Sequence, residues 1–156
     1  MKSVLEQNGG FFIEFEMLTE MEKALEQLFA SGAVVIVATM AKSCGKLFCL
    51  KMKSQNLGVE ETLERLCQIL TGWNWGEFTV AYIDADEGTG RVCVKNSLET
   101  RTRRSSGVVG CYFLSNFLGG FLTELLERNI AVKERKCASF EGKTCEFEFQ
   151  PAQSGE

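Results

Sequence analysis

The chain of 156 residues contains no histidine. That absence excludes His-based general acid–base catalysis, Ser–His and Cys–His nucleophilic pairs, and a haem held by a proximal His. Any metal must be held by Cys, Asp or Glu. Positive charge is also scarce. The net charge is −4 and the sequence pI about 5.1, whereas nucleic-acid affinity rests on Lys and Arg neutralising phosphates. The one basic run, Arg101-Thr102-Arg103-Arg104, is too short to reverse that balance and reads as a solvated loop. Long apolar runs are missing: Ala33 to Ala41 is too short to span a bilayer and is broken by Thr39. Met1-Lys2 is followed by mixed polar residues rather than the apolar core of a signal peptide, so the expected location is cytoplasmic. There is no Gly-rich dinucleotide fingerprint and no flavin signature. The acidic turn Asp84, Asp86 and Glu87 lacks calcium-loop spacing and reads as solvated.

What the chain does have is seven cysteines. In a reducing compartment these are thiols or metal ligands rather than disulfides. The length fits one domain, residues 1–150, with a flexible tail at 151–156. A chain of this size buries roughly 70% of its unfolded surface and needs no metal merely to have a core.

Hydrophobic periodicity sets the expected elements. Phe11 to Glu16 alternates and predicts a strand, with Phe11, Ile13 and Phe15 on one face. Thr19 is expected to cap a helix, with Glu22 completing a capping box and Gly32 ending it. Its apolar face holds Met21, Ala24, Leu25, Leu28 and Phe29. Ala33 to Ser54 admits two readings. The β-branched run Val34 to Val37 favours a strand, while an apolar character all round fits a buried helix. Ser43-Cys44-Gly45 reads as an interruption. Val59 to Leu70 predicts a helix closed by Gly72.

Trp73 to Asp84 and Arg91 to Asn96 predict an antiparallel hairpin about the turn Asp84 to Gly90, and Ser97 to Ser106 a loop. A long helix is expected from about Gly107 to Arg128, with Asn129 as C-cap. Gly119-Gly120 inside it costs roughly 1 kcal/mol per glycine relative to alanine. A cost of that size points to another element, or a ligand, packed against the backbone there. Ile130 to Ser139 and Thr144 to Gln150 predict a final hairpin, with fraying from Pro151.

The chemistry concentrates in Cys111 to Cys145, with the spacing C-x22-E-x2-C-x7-C through Glu134 and Cys137. A turn near Glu141 sets Cys137 opposite Cys145, and opposed Cα atoms lie about 4.5–5.5 Å apart. Two thiolates at that distance can share one ion. An ideal strand would point Glu134 and Cys137 to opposite faces, so a shared site demands a bulge between them. Cys111, at a helix N-terminus that favours the thiolate, would close a four-ligand shell. Lys133, Arg135, Lys136 and Lys143 are placed to offset its charge. On spacing alone, small buried cysteines and a solvated Glu fit as well. Cys44, Cys49, Cys67 and Cys93 read as buried, inert thiols.

Cys111 to Phe149 resembles the C-terminal half of the 4-vinyl reductase-type sensor domain, found at the front of phenol- and xylene-sensing bacterial activators and as stand-alone archaeal proteins. The shared pattern is a Cys opening a helix, the mid-helix Gly119-Gly120, Glu134-x2-Cys137, a turn at Gly142, and Cys145-Glu146-Phe147. The resemblance implies structural zinc on Cys111, Glu134, Cys137 and Cys145. It also implies an α+β fold, an antiparallel sheet with helices packed on it, related to haem-nitric-oxide sensors and vesicle-tethering subunits and often dimeric. It makes Gly32 to Ser54 more helix than strand. Residues 1–100 match only loosely. Aromatic-sensing members hold the phenol hydroxyl with a pocket His, which this chain lacks, so a more apolar ligand is expected. The pocket candidates are Trp73, Trp75, Tyr82, Tyr112, Phe113, Phe117 and Gly120. Each aromatic also reads as ordinary core packing.

The leading expectation is therefore a zinc-stabilised domain that binds or senses a hydrophobic or aromatic small molecule. With no effector domain visible in the sequence, it would act in trans on a partner, as a homodimer or through a downstream regulator. A reductase acting on a vinyl tetrapyrrole and a tethering or scaffold subunit are the alternatives. The missing His and missing cofactor motifs weigh against an enzyme.

Overall fold

The computed structural model describes residues 15–103, 110–138 and 144–153. Among the described residues, five helices and four strands follow in the order α1 (Phe15–Phe29), α2 (Gly32–Lys53), α3 (Val59–Gly72), β1 (Glu77–Asp84), β2 (Thr89–Lys95), α4 (Leu98–Arg103), α5 (Tyr112–Leu125), β3 (Ile130–Lys136) and β4 (Thr144–Pro151). The strands form one antiparallel sheet in the order β1-β2-β4-β3. The fold is α+β, as expected.

The sheet alternates cleanly, which antiparallel pairing with one wet face requires. Val92 and Val94 of β2 and Cys145, Phe147 and Phe149 of β4 point inward and are buried. Arg91, Glu146 and Glu148 face outward and pair with one another, joined by Arg135 and Lys136 from β3. Helix α3 covers β1, α5 covers β3, and α2 lies across α5. Helix α5 is therefore central. Its burial runs all round, from Leu114 through Phe117, Leu118, Phe121 and Leu122 to Leu125.

The packing of α2 on α5 explains two glycines. A methyl group at Gly120 would overlap the Lys42 carbonyl, and one at Gly45 would overlap the Phe117 carbonyl. Each helix thus seats a carbonyl of the other where a Cβ would stand. The close approach expected at Gly119-Gly120 is made by another element, and at Gly120 alone. At Gly119 the nearest atoms lie at ordinary distances, 3.7 and 4.0 Å.

Several expected boundaries are corrected. Phe15 and Glu16 open a helix rather than end a strand, and residues 11–14 lie outside the described residues. Thr19 is therefore inside α1 and is not its N-cap. The break after α1 is taken by Ala30, in the left-handed region at φ 48, and Gly32 begins α2 instead of ending α1. Helix α2 is continuous through Ser43-Cys44-Gly45, so tertiary packing overrides the β-propensity of Val34 to Val37. That continuity makes α2 long and apolar enough, by length and composition, to cross a membrane. Its buried face, Ala41, Gly45, Cys49 and Met52, packs on α5.

Ser97 to Ser106 contains α4 rather than only loop. Helix α5 starts at Tyr112 and ends before Glu127, which takes the left-handed turn (φ 52) assigned above to Asn129. Pro151 closes β4 opposite Ile130, and the Ala152 N–H donates to the Asn129 carbonyl at 2.9 Å. The expected turn at Glu141-Gly142 lies outside the described residues.

Candidate metal centre and aromatic cluster

One ligand atom from each of Cys111, Glu134, Cys137 and Cys145 lies within 4.8 Å of the others, so the four could hold a metal ion. Each arrives by a separate local device. Cys111 is the N-cap of α5. Cys145 is the second residue of β4 and is fully buried. Cys137 follows the end of β3, one step beyond the Lys136–Glu146 pair, which sets it facing Cys145. Between Glu134 and Lys136 the register slips: they oppose Phe147 and Glu146, leaving Arg135 as the extra residue. This is the bulge that the Glu134–Cys137 spacing demands, and it turns the carboxylate toward the sulfurs.

The donor atoms fit an ion. The Cys111 and Cys145 sulfurs are 3.8 Å apart. Two sulfurs bonded at about 2.3 Å to a tetrahedral centre stand about 3.8 Å from each other. Glu134 Oε2 accepts the Cys111 N–H at 2.7 Å, while Glu134 Oε1 is buried without a hydrogen-bond partner. A buried carboxylate oxygen left unpaired is costly, and a cation supplies what it lacks. Gly110, at φ +104, brings the chain past this carboxylate; a Cβ there would stand 3.3 Å from Oε2. The Ala138 N–H donates to the Cys145 sulfur at 3.4 Å, supporting a thiolate.

The electrostatics are those of thiols sharing a proton. Donating to Cys145, together with burial and the charges of Glu99 and Glu134, holds the Cys111 thiol far above its ordinary range. Accepting that proton, together with the N–H of Ala138, pulls Cys145 down against burial. A divalent ion displaces such protons as it binds.

Two expectations about charge are corrected here. The N-terminus of α5 does not serve Cys111. The buried Glu99 of α4 occupies it, accepting the N–H groups of Phe113 at 3.0 Å and Leu114 at 2.8 Å. Nor do Arg135 and Lys136 offset the site, because they pair with Glu148 (2.7 Å) and Glu146 (2.8 Å) on the outer face of the sheet. Lys143 lies outside the described residues.

Beside the clasp is an aromatic cluster. Trp75 meets Phe113 at 5.8 Å and Phe117 at 5.6 Å, and Trp73 meets Trp75 at 6.2 Å. Phe48 of α2 completes it, 5.4 Å from Trp73 edge-on and 6.1 Å from Phe117. Phe117 is buried; Phe48, Trp73, Trp75 and Phe113 are half-buried. Of the expected pocket residues, the structure brings together Trp73, Trp75, Phe113 and Phe117. Tyr82 is 49% exposed on the outer face of the sheet under Arg91, because the β1 bulge after Val80 turns it outward. Tyr112 is also exposed, and Gly120 faces the backbone of α2.

The sequence reading missed Phe48 and Glu99. Phe48 sat in the segment whose type was open. Glu99 looked solvated within a polar stretch, and its only signal was a carboxylate on a short turn shortly before a helix start.

The segment between cluster and clasp is tied to both. The Leu98 N–H donates to the Trp75 carbonyl at 2.9 Å, Arg101 Nη2 to the Asn74 carbonyl at 2.6 Å, and Ser97 Oγ lies 3.6 Å from the Cys111 sulfur. Of the other cysteines, Cys49 and Cys67 are buried, and burial pushes their thiols up to about 11 and about 12. Cys44 is exposed, against expectation, because it lies outside the buried stripe Ala41, Gly45, Cys49 and Met52 of α2.

Helices on an antiparallel sheet, carrying a Cys3Glu cluster and an aromatic cluster, define the class of the molecule as an α+β fold. No family model matches the chain, and no curated protein does. Solved structures do match. The phenol-responsive sensory domain of the transcription activator PoxR, solved with phenol, superposes with a TM-score of 0.78 at 18% identity, over 90% of this chain and 76% of that one. A vinyl-4-reductase family protein from Methanocaldococcus jannaschii gives 0.55 at 20% identity, over 91% and 98%. A trafficking protein particle complex subunit 3 from Naegleria fowleri, covalently bound to palmitic acid, gives 0.56 at 11% identity, over 88% and 95%. The chain has the fold these three proteins share.

Proposed function

We infer that this chain is a zinc-stabilised domain that binds and senses a hydrophobic or aromatic small molecule. It acts in trans on a partner, either as a homodimer or through a downstream regulator protein, in the cytoplasm. The observation that carries the reading is that α5 bears both features. Cys111 begins the helix in the Cys3Glu cluster, and Phe113 and Phe117, two and six residues on, face Trp75. Likeness to a phenol-responsive domain supports the ligand class. Three thiolates and one carboxylate, with sulfurs at tetrahedral spacing, favour zinc over hard cations that prefer all-oxygen shells. Four protein ligands leave no open position, so the ion is a structural clasp and the chemistry of the site is binding.

The cluster offers ring faces and edges, and its only polar groups are the two indole N–H donors. With no histidine in the chain to accept a phenolic hydroxyl, an aromatic hydrocarbon is the favoured class over phenol. The test is a titration of Trp fluorescence with naphthalene and with phenol, alongside elemental analysis of the purified protein. Naphthalene is expected to perturb the emission saturably and more tightly than phenol, an effect lost in Phe113→Ala, with one zinc per chain. Tighter binding of phenol, or no saturable response to either, overturns the ligand assignment; protein free of zinc overturns the metal.

A further inference from the structure

Ser97 is fully buried between the end of β2 and the start of α4. The Arg101 N–H donates to its carbonyl at 3.0 Å, the first helical bond of α4, so Ser97 is the N-cap residue. A serine there ordinarily turns its oxygen toward the N–H groups of the first turn. Here the hydroxyl instead meets the Cys111 sulfur, 3.6 Å away and also buried. Among the described residues that sulfur is its one hydrogen-bond partner. The backbone around it is fixed. Thr100 Oγ1 donates to the Ser97 carbonyl at 2.8 Å, and the Leu98 N–H to the Trp75 carbonyl at 2.9 Å. Asn96, in the left-handed region at φ 50, turns the chain off β2, and its Nδ2 donates to Glu77 Oε1 at 2.8 Å.

The direction of the bond follows from counting protons. Cys111 has one thiol proton, and it is engaged with the Cys145 sulfur at 3.8 Å. Ser97 is therefore the donor. A metal ion on Cys111 removes the thiol proton and leaves a sulfur that can only accept. The hydroxyl then donates in the loaded state too, now to an anion, which strengthens the bond. Charge sets the need. Three thiolates and one carboxylate leave two negative charges in excess on a divalent ion. Arg135 and Lys136 are engaged on the outer face of the sheet, so hydrogen-bond donors must meet that excess. The Ala138 N–H serves Cys145, and the Ser97 O–H serves Cys111.

We propose that Ser97 is a positioning residue for the metal, its hydroxyl donating a hydrogen bond to the Cys111 thiolate and so fixing the sulfur and tightening the ion. This rests on the zinc reading above and is independent of the ligand. The test compares wild type, Ser97→Ala and Thr100→Val. It measures zinc affinity by competition with a chromophoric chelator, and the visible spectrum of the cobalt-loaded chain. Ser97→Ala is expected to bind zinc about 10- to 100-fold more weakly. Its sulfur-to-cobalt charge-transfer band should move to longer wavelength, because a thiolate without the donor holds its lone pair at higher energy. Thr100→Val removes a bond to the Ser97 carbonyl but keeps the Ser97 hydroxyl. It should lower Tm and leave both affinity and band as in wild type. Wild type loaded with a magnetically active cadmium isotope gives a readout that needs no variant: a slowly exchanging hydroxyl proton coupled to cadmium through the sulfur. Unchanged affinity with an unmoved band in Ser97→Ala, or an equal loss in Thr100→Val, overturns the proposal. So does a cadmium-loaded chain with no coupled hydroxyl proton. A wild type that takes up neither zinc nor cobalt strikes the metal reading and this role with it, whereas uptake that ignores Ser97 strikes the role alone.

Discussion

Adjacent glycines in α5 should respond to the same substitution with opposite signs. Alanine in a helix interior is ordinarily favoured over glycine by about 1 kcal/mol. At Gly119 the new methyl would lie 3.7 Å from Val132 Cγ2 and 4.0 Å from Lys42 Cε, both ordinary contacts. Gly119→Ala should therefore keep most of that gain, up to about 1 kcal/mol. At Gly120 the methyl would overlap the Lys42 carbonyl oxygen and stand 2.7 Å from its carbon. That oxygen belongs to the backbone of a continuous helix and cannot rotate away, so α2 itself must move. Overpacking costs of about 1–3 kcal/mol apply. The upper end, reduced by the propensity gain, leaves a net loss of about 2 kcal/mol. For a domain of this length, about 2–4 °C of Tm follows each kcal/mol. Gly120→Ala should melt roughly 4–8 °C below wild type and Gly119→Ala at or slightly above it. Gly45→Ala, facing the Phe117 carbonyl, should behave as Gly120→Ala does. Urea titration followed by circular dichroism gives the free energies and thermal melts the temperatures. Equal effects at Gly119 and Gly120, or a stabilised Gly120→Ala, would refute the close helix contact.

Three further outcomes follow from the clasp and the core. Cys145→Ser should lose the ion by elemental analysis and lower Tm by roughly 5–10 °C, about 2–4 kcal/mol, and a chelator should do the same to wild type but nothing further to the variant. Glu99→Gln should cost about 1–2 kcal/mol in urea titration, because a buried carboxylate accepts the first N–H groups of α5 and the amide keeps only one acceptor. Stability should also fall as pH rises above 9. The Cys67 thiol ionises near 9 when exposed by unfolding, but burial pushes it up to about 12 in the fold. The folded chain therefore holds the extra proton between those values, and stability declines by at most about 1.4 kcal/mol per pH unit for this group. A denaturation series from pH 8 to 10.5 should show a shallower decline in Cys67→Ala.

The parts of this structure legible in the sequence were those where one local rule acted alone. The spacing of Glu134 and Cys137 violates strand alternation, so a common site required a bulge, and the register slips between Glu134 and Lys136. The β1–β2 hairpin followed from alternation around a polar turn. Where two rules competed, the local one misled. Val34 to Val37 prefers a strand, yet the residues continue into Ala41, Gly45 and Cys49, which fit a helix against α5. Neither glycine pairs visibly with a carbonyl on another helix until both helices are placed. The capping-box pattern Thr19-x-x-Glu22 was overridden because α1 begins a turn earlier. Glu99 was illegible for a different reason: a carboxylate that caps a helix from another element leaves no spacing signature.

The separate features meet in α5. Its N-terminus carries Cys111, its first turns carry Phe113 and Phe117, its middle admits the Lys42 carbonyl at Gly120, and Glu99 holds its first N–H groups. The last three contacts are made by groups outside the sheet, while the clasp joins the helix to Glu134, Cys137 and Cys145 at the β3–β4 end. An ion there would fix the helix at the end next to the aromatic cluster. A ligand taken up beside Trp75 and Phe117 would act on α5 between the clasp and Gly120, where α2 rests on it. Helix α2 is also the helix whose far side is apolar and exposed. Helix α2 meets α5 at Gly45 on the Phe117 carbonyl and at Gly120 on the Lys42 carbonyl, and its Phe48 belongs to the cluster itself, so a shift of α5 at Phe117 passes directly to α2.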